Sequence, residues 1–60
     1  MKYNLFLFKD GNIIHEFRNV TSHNVHEQTL HVRFAGKSAN FATLIPNHAY
    51  DYAMPEENDQ

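Results

Sequence analysis

Histidine is the one chemically versatile side chain carried in excess by this 60-residue sequence, at His15, His23, His26, His31 and His48. Imidazole can ligate a metal or exchange a proton near neutrality. Zinc asks for three or four ligands converging tetrahedrally. The most promising pair is His26 and His31, which a turn at Glu27-Gln28 sets diagonally on one sheet face with Glu27 nearby. His23 and His26 are three apart, a spacing that sends strand side chains to opposite faces. The spacing therefore does not converge on a metal, and no cofactor is expected. His26 and His31 stay as the only candidate ligands, and a histidine metal-binding domain as an alternative. As proton carriers, five charged histidines would take the formal net charge from −2 to +3. His15 is expected beside Phe6 and Phe17.

Other chemistry finds few residues to stand on. There is no cysteine, so thiolate nucleophiles, thiolate metal sites and disulfides are excluded. Ser22 precedes His23, but sequence neighbours in a strand face opposite ways and do not form a nucleophile–base pair. Ser38 falls in a turn, and Glu16 and Glu27 lie far apart. With only Gly11 and Gly36, no glycine-rich phosphate loop exists. A barrel of this length also has little room for a substrate pocket. The expectation is that the protein is not an enzyme.

The five bases are dispersed. Lys2, Arg18, Arg33 and Lys37, with Phe6, Phe8 and Tyr3 as stacking partners, define a nucleic-acid-binding β-barrel as the second alternative. Affinity for phosphate rests on clustered positive charge. Here residues 1–54 carry five bases against four acids, and the segment after Met54 carries Glu56, Glu57 and Asp59. Nucleic acid is therefore not the expected partner.

The elements that must position these residues read as short strands separated by turn signals. Tyr3 to Phe17 forms a hairpin about Asp10-Gly11, which supplies the positive φ angles of a tight turn. A two-residue loop pairs Phe8 with Ile13 and Phe6 with His15. One face then carries Phe6, Phe8, Ile13 and Phe17, the other Tyr3, Leu5, Leu7 and Ile14. A three-residue loop would shift that pairing by one. Either way the first strand is apolar on both faces and needs cover on both.

Asn19 is expected to end the second strand, and Val20–Val25 to form a polar third. Thr29–Ala35 is a half-buried strand with Leu30, Val32 and Phe34 inward. Gly36-Lys37 suits a type II′ turn placing Phe34 opposite Ala39 and Val32 opposite Phe41, with a fifth strand from about Ala39 to Ile45. Pro46 stops the sheet, and a short strand through Tyr50, Tyr52 and Met54 follows a single turn. Helical turns over Asn47–Met54 are the alternative.

The Lys9-Asp10-Gly11 hairpin, then Phe17-Arg18-Asn19-Val20, then Thr29-Leu30-His31-Val32-Arg33-Phe34 resembles small β proteins of phages and other mobile elements. The resemblance covers the β body and rests on turns and alternation. It implies action by binding, or inhibiting, one host or viral protein.

The expected architecture is all-β: a five- to six-stranded antiparallel meander closing into a small SH3-like or OB-like barrel, with residues 1–54 as one domain and 55–60 as an acidic disordered tail. A domain this small buries only about 60 % of its unfolded surface and often needs oligomerisation to be stable. The expected function is a non-enzymatic protein-interaction module that binds itself or another protein. Its interface is assigned to Tyr3, Leu5, Leu7, Ile14, Tyr50 and Tyr52, with Phe6 and Phe8 in the intrachain core. The longest early apolar run, Leu5–Phe8, is too short for a signal-peptide core or a membrane span. The expectation is a cytoplasmic protein without membrane contact.

Overall fold

The computed structural model describes residues 2–38 and 40–57. They form one antiparallel sheet of five strands: β1 (Tyr3–Lys9), β2 (Asn12–His26), β3 (Thr29–Phe34), β4 (Thr43–Pro46) and β5 (Tyr52–Glu57), in the order β4-β3-β2-β1-β5. A 3-10 turn, Asn47–Ala49, carries the chain from β4 at one edge to β5 at the other. No ladder joins β4 to β5 among the described residues, so hydrogen bonding leaves the sheet open rather than closed into a barrel.

β2 decides the shape. It runs 15 residues where two separate strands were expected, and it serves both halves of the sheet. Its first part pairs with β1 and its second with β3, and Val20 lies opposite both Tyr3 and Phe34. Asn19 does not end the strand; it takes φ 60° within it, and the ladders slip on both sides of Val20. Asparagine adopts the left-handed region more readily than most residues, and bulges bend a strand and increase its twist. Both halves contribute to one core. Leu5 and Leu7 from β1, Val20 from β2, Leu30 and Val32 from β3 and Ile45 from β4 form the buried core. Tyr3, Phe17, Phe34, Ala49, Tyr50 and Ala53 pack around it.

The first hairpin turns on Asp10 (φ 54°) and Gly11 (φ 81°) and pairs Lys9 with Asn12 and Phe8 with Ile13, the two-residue loop. Beyond Phe8 the register slips by one, so Leu7 faces His15, Phe6 faces Glu16 and Leu5 faces Phe17. Ile14 is the extra residue of this bulge. A one-residue slip exchanges the faces of everything beyond it. Phe17 thus joins Leu5 and Leu7 on the inner face instead of Phe6 and Phe8.

Further along, Leu30 and Val32 turn inward as their alternation requires. The connection to β4 is longer than a type II′ hairpin. Lys37 N–H donates to the Phe34 carbonyl at 3.3 Å around Ala35-Gly36, and Gly36 has φ 81°. Val32 consequently faces Thr43, not Phe41. The Phe34–Ala39 pairing lies outside the described residues. Phe41 is exposed under the Lys37 ammonium, 5.5 Å from its ring centroid. Pro55, Glu56 and Glu57, expected in the tail, continue β5 opposite Leu5, Asn4 and Tyr3. The rest of that tail, 58–60, lies outside the described residues.

Candidate functional surface

The outer face of β2-β1-β5 carries an apolar strip built from cross-strand pairs. Side chains of directly opposed residues share a face. Phe6 lies opposite Met54, and Phe8 opposite both Tyr52 and Ile13. The Phe8 and Tyr52 rings stack, with centroids 4.8 Å apart and planes within 7°. Phe6 and Phe8 are half-buried, whereas Ile13, Tyr52 and Met54 are 52 %, 48 % and 50 % exposed. Single exposed hydrophobes are ordinary on protein surfaces, but a contiguous aromatic and aliphatic patch is the form a contact site takes.

Polar groups rim this strip. Glu16, opposite Phe6, accepts a 2.9 Å hydrogen bond from the Arg18 guanidinium. Glu56 lies opposite Asn4 at one end. At the other end Asp51 accepts from the Asp10 backbone N–H at 2.8 Å, and its second carboxylate oxygen lies 3.8 Å from Lys9 Nζ. Glu16 and Asp51 therefore have cationic partners within the chain, and the strip between them is apolar.

The residues first assigned to the interface do not share this surface. Leu5 and Leu7 are 0 % exposed and belong to the core, so the chain itself covers the face on which they lie. Tyr3 packs against that core, and its hydroxyl lies 2.5 Å from His23 Nδ1. Burial pushes the Tyr3 hydroxyl above the ordinary tyrosine range. Tyr50 is half-buried and donates to the Asn47 side-chain oxygen at 3.2 Å. Ile14 is exposed in the bulge, and Tyr52 alone of the six belongs to the strip. Phe6 and Phe8, assigned to the core, lie on the outer face.

One signal in the sequence could have found part of this arrangement. The alternation Tyr52-Met54-Glu56 matches Phe8-Phe6-Asn4 once β5 is paired antiparallel to β1.

The histidines scatter. His15 is exposed and stacks on Phe17 at 5.6 Å rather than being buried beside Phe6. His26 and His31 do approach, with ring centroids 6.0 Å apart, and His26 Nε2 lies 3.7 Å from Glu27. Among the described residues no group of three or more potential ligands is placed to hold a metal. The bases also stay dispersed: Lys2 precedes β1, Arg18 pairs with Glu16, Arg33 lies in β3 and Lys37 covers Phe41. No helix among the described residues is long and apolar enough to cross a membrane.

Comparison with family models, with curated proteins and with solved structures gives no match for this chain.

Proposed function

We propose that this protein is a non-enzymatic interaction module that self-associates through the outer face of β2-β1-β5, with Phe6, Phe8, Ile13, Tyr52 and Met54 as the contact strip. The observation that carries this reading is the stacked Phe8–Tyr52 pair in an exposed apolar strip flanked by the Glu16–Arg18 and Asp51–Lys9 ion pairs. Aromatic anchors surrounded by polar groups are the usual anatomy of a protein contact. A second copy is the partner of choice on physical grounds. A 60-residue chain without cysteine has no disulfide to add stability, and association is the common remaining route. Sheet faces also stack well on one another, about 10 Å apart.

The same reading takes the bent sheet as an incompletely closed barrel of SH3-like or OB-like size. The shared strand β2 and the 3-10 crossing from β4 to β5 support it.

The test is mass in solution at micromolar concentration, by light scattering or sedimentation. The wild-type chain is expected at twice the chain mass, and Met54→Glu at one chain mass with an unchanged circular dichroism spectrum. A wild-type chain that stays at one chain mass as concentration rises removes self-association. In that case a Met54→Glu chain that still folds leaves the strip free for a different protein.

A further inference from the structure

We propose that Pro46 and Pro55 seal the two free edges of the sheet against strand addition, so that neither a second copy nor an extended segment of another protein can extend it. An edge strand presents unpaired N–H and C=O groups, and proline removes a donor from that row. What decides whether a proline does so is the direction of its nitrogen. Along a strand, the N–H and C=O of one residue point to one side and those of the next residue to the other.

For β5 that direction follows from Phe8. Its carbonyl accepts from Asp51 N–H at 2.7 Å, so the main-chain groups of Phe8 turn toward β5. Those of Phe6 and Asn4 turn the same way, two and four residues back. The hydrogen-bonded pairs are then Phe8–Tyr52, Phe6–Met54 and Asn4–Glu56. Pro55, opposite Leu5, falls between them, and its nitrogen faces the open edge.

Pro46 has the same orientation on β4. Asn47 N–H donates to the Gln28 carbonyl at 3.0 Å, just outside the Thr29–Pro46 pair. That bond makes Thr29–Pro46 a non-hydrogen-bonded pair, which turns the Pro46 nitrogen to the open edge as well. Both prolines in the sequence therefore occupy edge strands, each costing the sheet no internal bond and removing one donor from the outside. Glu57 adds a charge to the β5 edge, a second obstacle to pairing.

The test uses the full 60-residue chain in the Met54→Glu background, so that contact through the outer strip cannot be mistaken for contact through an edge. Pro55→Thr restores a donor to one edge and Pro46→Thr to the other. Each single variant is expected to go from one chain mass to two as concentration rises, because one open edge closes on its own copy. The double variant is expected to grow beyond two, since two open edges propagate. In Pro55→Thr, the amide protons of Ala53 and Glu57 are expected to gain protection from exchange on association. A synthetic chain with N-methylalanine at position 55, which lacks the donor but not the flexibility, is expected to stay at one chain mass.

The proposal is overturned if the threonine variants keep the parent mass at every concentration, or if the N-methylalanine chain associates as they do. It is overturned equally if Pro55→Thr and Pro55→Ala both fail to fold, because a nitrogen facing open solvent can carry an N–H donor without costing the sheet a bond. Failure of self-association in the wild-type chain leaves this test unchanged.

Discussion

The Tyr3 hydroxyl and His23 Nδ1 tie β1 to the far half of β2 at the rim of the core. With the hydroxyl donating, the imidazole carries its proton on Nε2. Tyr3→Phe keeps the ring packed against the core and removes only this bond, so a loss of about 0.5–1.5 kcal/mol is expected, read from urea unfolding at neutral pH. Burial holds the Tyr3 hydroxyl above the ordinary value of 10.0, and so favours the neutral form in the folded chain. From about pH 10 upward the unfolded chain loses this proton before the folded one does, so stability falls as pH rises. Tyr3→Phe is expected to flatten that alkaline decline. An equal decline in both proteins would mean that another group causes it.

Among the elements, the β2–β3 hairpin holds the clearest unused stability. Its two-residue loop places Glu27 at φ 53° and Gln28 at φ 62°, while His26 and Thr29 form the flanking pair. Residues with a Cβ meet the left-handed region at a cost of about 1–2 kcal/mol each, and Asn-Gly suits this turn far better. The double substitution Glu27→Asn with Gln28→Gly is expected to stabilise by about 1 kcal/mol, which raises Tm by about 4–8 °C in a domain of this size. The Asn47 N–H bond to the Gln28 carbonyl requires no side chain and should persist. A Tm that is unchanged or lower would show that Glu27 or Gln28 makes a compensating contact.

For the molecule as a whole, the core and the proposed contact strip lie on opposite faces of one strand. Leu7 is fully buried among core residues, so Leu7→Ala is expected to cost about 2–5 kcal/mol. A 60-residue domain has a total of about 3–9 kcal/mol to lose. Loss of cooperative thermal unfolding in Leu7→Ala is therefore expected, where Met54→Glu on the outer face should lower only the mass in solution. Near-native melting of Leu7→Ala would place that side chain outside the core.

Sequence alone determined the all-β class, the Asp10-Gly11 and Glu27-Gln28 turns, the inward set Leu30 and Val32, and the apolar character of β1 on both faces. Each follows from local pattern: a dipeptide suited to positive φ at Asp10-Gly11, a polar break between strands at Glu27-Gln28, and alternation on a pleat. Which face of β1 the chain covers was decided by tertiary structure. The bulge at Ile14 slips the register by one and moves Phe17 to the side of Leu5 and Leu7. The irregularities around Asn19 and Val20 let one continuous strand bend where the polar composition suggested two. β5 then pairs with β1 across the whole sequence, aligning Tyr52 and Met54 with Phe8 and Phe6. A bulge has no strong signature in residue type, and β5 finds its place only through a partner more than 40 positions away. Turns and alternation are local, whereas the choice between two apolar faces depends on which distant strands arrive, and only the assembled sheet contains that information.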